Sequence, residues 1–326
     1  MNKLKFIIPL LLLTQGVFAW GFYGHKMVNR LAVFSLPPEM FSFYKIHIDY
    51  ITENSVNPDK RRYSDTAEAC RHYIDLDHYE KSLPIDTVPK LWNDAIKKLT
   101  KDTLLAYGIV PWHIQVMLTR LTYAFKEKDL DKILRISAEL GHYVADAHVP
   151  LHASENYNGQ FTNQHGIHGF WESRLPELFS ADYDLFVGKC MYLNNPLENA
   201  WQASEGSFAG IDTVLGFERM LNNNFDVSRK YSIEYKGATQ IKTYSKEYAL
   251  AYHQMLKGQV ERRLKESILM VANMWYTAWV NAGQPNLDDL TKDKKQPKPS
   301  DSEMQQIIAD EQKLLNNNRM IGREEK

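Results

Sequence analysis

Only two cysteines, Cys70 and Cys190, occur in the 326 residues, and they do not form a CxxC pair. That excludes a thiolate metal site, which needs several closely spaced cysteines. The sequence leaves two fates open for these thiols, a single disulfide in an exported chain or two unpaired buried thiols. Excess charge is missing too. Lys and Arg number 39 against 40 Asp and Glu, a formal net charge of −1. Non-specific nucleic-acid affinity rests on many basic contacts, so a general polyanion binder is excluded while a local basic site is not. Internal repeats are absent. Alternating strand patterns are scarce, and YSIEYKGATQIKTY, residues 231–244, is the best hairpin candidate. After residue 19 no apolar run approaches the roughly 20 residues that a membrane span requires.

The first nineteen residues differ from the rest: a basic MNKLK, an apolar FIIPLLLL and small residues in VFA. This is the pattern of a secretory signal peptide. No cysteine follows it, so no lipid anchor is suggested, and the chain is expected to be secreted or periplasmic. Cleavage removes Lys3 and Lys5 and no acid, taking the net charge from −1 to −3. Apolar content of 44% and charged content of 24% are those of an ordinary globular protein with a sizeable core.

Helical signals dominate. GHKMVNRLAVFSLPP runs into a Pro-Pro stop, and PPEMFSFYKIHIDYITENSV starts from that pair. In DKILRISAELGHYVADAHVP, residues Ile133, Ile136, Leu140, Tyr143, Val144 and Ala147 recur at helical spacing, and Pro150 ends the run. Val260, Leu264, Ile268, Val271 and Trp275 form another apolar stripe, followed by Gly283 and Pro285. The expected architecture is all-α, a single multi-helix domain over residues 20–285 with one small β-hairpin. Residues 286–326 read as a polar, poorly ordered tail in which SEMQQIIADEQKLL forms at most a short surface helix.

Histidine is what the sequence concentrates: five of eleven lie between His142 and His168. On a helix His142 and Asp146 share a face, as do His168 and Glu172, while His152 follows the Pro150 break. Two such imidazole–carboxylate pairs and a loop histidine are a supply of zinc ligands. A single histidine more often caps a helix or satisfies a buried polar group. The five residues together are harder to explain that way, because an apolar helix face does not carry an acid such as Asp146 without a partner. Upstream, NPDKRRY holds Asp59 and CRHYIDLDHY holds His72, each weak alone. Cleavage after Ala19 leaves Trp20 first and His25 five residues on. A free α-amine, with pKa about 7.7–8, binds zinc once deprotonated and chelates with its own carbonyl oxygen.

A terminal Trp, a His five residues on, then D…H…HxxxD…PLH…HxxxE resembles the S1/P1 nuclease and bacterial zinc-dependent phospholipase C superfamily, from Trp20 to at least Glu172. The resemblance implies three zinc ions. One is held by Asp59, His72, His142 and Asp146, a second by His152, His168 and Glu172, and a third by Trp20, His25 and a bridging Asp146. It leaves His148 and His165 off the metals.

The implied chemistry is phosphoester hydrolysis, in which zinc lowers the pKa of water and neutralises phosphoryl charge. Asp59 orients or deprotonates the attacking water, and Arg62 contacts the pentavalent phosphate. The nuclease branch is favoured by Arg62 and by HYID, where Tyr73 is expected to stack on a base and Asp75 to accept from its amino group. Single-stranded nucleic acid or a nucleotide is then the substrate. The phospholipase branch, acting on phospholipid head groups, is favoured by Glu172, where nucleases usually carry Asp. A non-catalytic zinc-binding protein is the third reading. No stable protein partner is implied, and a monomer is expected.

Overall fold

The computed structural model describes residues 21–291, apart from Tyr63 and residues 237–238. The leader, Trp20 and the tail beyond Thr291 lie outside the described residues, so the readings made for them stay as expectations.

The amino-terminal third is a run of short helices. α1 (Phe22–Ala32) leads through a 3-10 turn to α2 (Pro38–Ile46), with Pro38 in its first turn. The single helix expected after the Pro-Pro pair breaks at His47, where φ −99° and ψ 16° leave helical geometry, and resumes as α3 (Ile48–Asn54). α4 (Asn57–Arg61), α5 (Leu76–Tyr79), α6 (Trp92–Leu99) and α7 (Lys101–Tyr107) follow. The long α8 (Val110–Glu127) and α9 (Leu130–Asp146) are joined by a tight turn in which Lys128 adopts φ 54°.

α9 is the centre of the molecule. It packs against α8, α1, α3 and the carboxy-terminal helix, and every residue from Ile136 to Asp146 is buried. A helix covered on all sides places polar residues such as His142 and Asp146 where water cannot satisfy them. After α9 come α10 (Ile167–Gly169), a π-helical turn (Phe170–Arg174) and α11 (Leu175–Phe179). The longest helix, α12 (Pro196–Asn224), starts where the Asn195 side chain accepts from the Glu198 amide. The hairpin β1 (Tyr231–Lys236) and β2 (Thr239–Tyr244) pairs Tyr231 with Tyr244 in antiparallel register, on the residues that the alternation singles out. α13 (Lys246–Met255) and α14 (Gln259–Asn281) close the fold.

The core joins these layers. Tyr44 of α2 stacks on Trp275 of α14 at 4.8 Å, and both reach Ser137 of α9, through its hydroxyl at 2.8 Å and its carbonyl at 3.0 Å. No described helix is long and apolar enough to cross a membrane. Cys70 and Cys190 are both free thiols.

Candidate metal centre

α9 supplies the first two side chains. His142 and Asp146, one turn apart, bring Nε2 and Oδ2 to 3.2 Å. α1 crosses close by, and His25 stacks on His142 with ring centroids 3.8 Å apart and Nε2 3.4 Å from Asp146 Oδ1. α4 carries Asp59 in, with Oδ1 3.7 Å from His142 Nε2 and 3.9 Å from His72 Nδ1. His72 ends the 3-10 turn Ala69–Arg71 with Nδ1 2.8 Å from Asp146 Oδ2 and 3.0 Å from His142 Nε2.

A second group adjoins the first. Pro150 starts the turn Pro150–Ala153 that turns His152 inward. Gly166, at φ 89°, opens α10 and delivers His168, and the π-helical turn delivers Glu172. Such turns recur at functional sites because the extra residue re-aims side chains. His168 Nε2 lies 3.0 Å and His152 Nε2 3.6 Å from Glu172 Oε2, while His152 Nδ1 lies 3.7 Å from Asp146 Oδ1. Asp146 therefore faces both groups.

Backbone contacts fix two of the rings. His142 Nδ1 donates to the Ser55 carbonyl at 2.8 Å and His152 Nδ1 to the His72 carbonyl at 2.5 Å, which leaves each Nε2 facing the cluster as an acceptor. Both nitrogens of His25, both carboxylate oxygens of Asp59, Asp146 Oδ1 and His152 Nε2 are buried without a hydrogen bond. Each such atom costs about 1–3 kcal/mol, a cost that a cation between them would offset. His25, Asp59 and His142, then His72, His142 and Asp146, then His152, His168 and Glu172, each bring three ligand atoms within 4.8 Å of one another. The donors, imidazole and carboxylate in sets of three or more, fit zinc.

The electrostatics agree with a cation site. Burial, then His142, lowers the His25 pKa, and burial lowers that of His142. Burial pushes Asp59 up to about 6. Burial would raise Asp146, but His142 and His152 outweigh it and hold the carboxyl well below the usual range. Burial would lower His72, and Asp146 with Glu68 outweighs it in the upward direction.

Residues 20–264 match the S1/P1 nuclease model. The chain belongs to the S1/P1 nuclease family. That family is one of metal-dependent hydrolases. Among solved structures it is similar to the alpha-toxin of Clostridium perfringens from an avian strain, with 14% identity and a TM-score of 0.46. That match covers 81% of this chain and 65% of the toxin, so the chain spans less than two thirds of the toxin's length. No curated protein matches.

Within this S1/P1-family chain the other expected residues fall as follows. Arg62 is half-buried, and its charge acts on both Asp59 and His72. Its neighbour Arg61 turns inward instead, to Glu139 at 2.6 Å. Gly21 backs onto Ser173, where an added Cβ would meet Oγ at 2.3 Å. The chain therefore enters α1 beside the turn that bears Glu172. His148 turns away, Nδ1 donating to the Val144 carbonyl at 2.7 Å, and His165 is exposed.

Tyr73 and Asp75 require a correction. Tyr73 is only 4% exposed, its hydroxyl donates to the Ala106 carbonyl, and its ring and carbonyl lie against Gly108. His72 ends the 3-10 turn in helical geometry rather than in a strand, and the buried Tyr73 ring offers no open face to a base. Asp75 is 2% exposed, at the start of α5, where its amide donates to the Tyr107 carbonyl. The expected base contacts are not presented by these two residues.

Sequence reasoning also missed Glu68, which lies behind His72 with Oε1 3.4 Å from Nε2. Its four-residue spacing from His72 was the available signal. Asp77 was missed as well. It accepts from Ser154 Oγ at 2.6 Å and the Glu155 amide at 2.9 Å, pinning the segment after His152.

Proposed function

We propose that this chain is an exported zinc-dependent phosphodiesterase that cleaves single-stranded nucleic acid and 3′-nucleotides. The observation that carries this is the set of buried atoms without hydrogen bonds on His25, Asp59, Asp146 and His152, in an S1/P1-family chain whose imidazoles and carboxylates gather in three groups. Asp59, His72, His142 and Asp146 would hold one zinc, and His152, His168 and Glu172 another. A third would sit between Asp146, His25 and the amine and carbonyl of Trp20, freed by removal of residues 1–19. Bound there, zinc supplies Lewis acidity, a lowered pKa for water and neutralising charge on a phosphoryl group.

The chain's own residues divide the remaining work. Asp59 lies at the edge of the cluster, where its carboxylate accepts a proton from the attacking water. Arg62, next to it, donates to the phosphate oxygens as their charge grows. Asp146 holds His25, His72 and His142 in register, its two oxygens 3.4 and 2.8 Å from the first two. Arg62 beside Asp59 suits a polyanionic strand, and with a net charge of −3 after leader removal the attraction is local rather than global.

The test is a parallel assay of the zinc-loaded chain on single-stranded DNA, RNA, a 3′-mononucleotide and phosphatidylcholine. Turnover of the first three is expected. Rapid hydrolysis of phosphatidylcholine alone would transfer the chain to the phospholipase branch, consistent with Glu172 in place of Asp. Bound metal with no turnover of any phosphoester would leave a zinc-binding protein.

A further inference from the structure

Glu68 is fully buried directly behind a proposed metal ligand. On one side of His72, Nδ1 faces the cluster, 2.8 Å from Asp146 Oδ2 and 3.0 Å from His142 Nε2. On the other side, the buried Nε2, which makes no hydrogen bond in this geometry, faces Glu68 Oε1 at 3.4 Å. A neutral imidazole carries one proton. With that proton on Nδ1, the Nε2 lone pair would point at a carboxylate. With it on Nε2, the proton points at Glu68 and the Nδ1 lone pair is left for the cluster.

Glu68 is flanked by two guanidinium groups, those of Arg61 and Arg71. Arg71 donates to Oε2 at 2.8 Å, Arg61 lies 3.4 Å away, and the Tyr143 hydroxyl donates to Oε1. Arg61 is itself anchored by Glu139 at 2.6 Å. His142 and His152 are oriented by a different device, each donating Nδ1–H to a backbone carbonyl and so presenting Nε2.

We propose that Glu68 is a positioning residue: it accepts Nε2–H of His72, fixes that tautomer and turns Nδ1 toward the metal, so that His72 ligates through Nδ1 while His142 and His152 ligate through Nε2. A full negative charge behind the ring also raises its basicity as a ligand, beyond what a carbonyl does. The proposal rests on the metal reading above but not on the identity of the substrate.

Two measurements on the full-length chain test it. In the zinc-loaded wild type, ¹⁵N-imidazole NMR is expected to show His72 protonated at Nε2 and metal-bound at Nδ1. Ligation through Nε2 would overturn the proposal without any variant being made. Zinc affinity, read by competition with a chromophoric chelator, is expected to fall about 10- to 100-fold in Glu68→Gln. Tyr143→Phe keeps the Glu68 charge and its contact with His72, and should bind zinc close to wild type. Unchanged affinity in a folded Glu68→Gln chain would reduce Glu68 to a counter-ion for Arg61 and Arg71. A wild-type chain that binds no zinc would sink the metal reading and this proposal together. Zinc binding without nuclease activity would sink only the substrate reading.

Discussion

His113 shows how burial, with neighbouring charges adding to it, sets a residue's charge in this molecule. Its ring meets Tyr143 edge-on at 4.4 Å, it is almost fully buried, and Nε2 has no hydrogen-bond partner. Burial first, then Arg71, holds its pKa well below the ordinary value, with Arg120 and His72 adding to that and Glu68 opposing it. The folded chain therefore keeps His113 neutral, while the unfolded chain takes up a proton once pH falls below about 6.5. Stability is lost as pH falls, by about 2 kcal/mol from this group between pH 7 and pH 5. His113→Phe preserves the edge contact without the titration. Urea unfolding of both chains at the two pH values is expected to show a loss smaller by about that amount in the variant, and equal losses would mean that His113 does not sense pH. At this scale the sequence was legible where a residue's partner lay one helical turn away, as for His142 with Asp146. It was silent where the partner was a backbone carbonyl far along the chain, as Ser55 is for His142. It misled for Tyr73, because adjacency to His72 carries no information about which way a ring turns.

Among elements, the crossing of α1 and α9 decides the site. It occurs at Gly141, where a built Cβ would lie 2.0 Å from Asn29 Oδ1. Asn29 is fully buried and donates Nδ2 to the Ala138 carbonyl at 2.9 Å, so it has nowhere to swing. This close approach lets His25, one turn before Asn29, stack on His142. Helix propensity alone would favour Gly141→Ala by about 1 kcal/mol. Overpacking costs about 1–3 kcal/mol, and displacing Asn29 strands a buried amide as well, so the clash wins. The variant should melt at a lower temperature and hold less zinc per chain. A more stable variant with full metal content would show that the crossing does not depend on glycine. The apolar periodicity of α9 and α14 was readable because each presents a regular stripe. The 29-residue α12 was not read, although Asn195 and Glu198 mark its start. Its buried face mixes Trp201, Ile211, Val214 and Leu215 with Ala200, Ala203, Ser204, Ser207 and Glu218, and the small and polar positions interrupt the hydrophobic pattern. The break at His47 was equally invisible, since no proline or glycine marks it.

At the scale of the whole molecule the candidate site ties together distant parts of the chain. Its side chains come from α1, α4, the turn before His72, α9, the Pro150 turn, α10 and the π-helical turn, across residues 25–172. In the folded chain Asp59, Asp146 and Glu172 lie buried within a few ångströms of one another's imidazole partners, at a desolvation cost that a bound cation would offset. The unfolded chain scatters the same groups into water and binds an ion weakly. Zinc should therefore stabilise the native state by linkage, about 4 kcal/mol at a free concentration a thousand times its dissociation constant. For a domain of this size that corresponds to a rise in Tm of roughly 10 °C. Calorimetry of the zinc-loaded chain, before and after exhaustive chelation at one pH, is expected to show that drop, with recovery on adding zinc back. Because Asp146 faces both ligand groups, Asp146→Asn should shrink the difference more than Glu172→Gln, whose carboxylate faces His152 and His168. Coincident melting curves with and without metal would mean that the cluster tolerates its buried charges unaided, and the fold would then not depend on the ion that the site is built to hold.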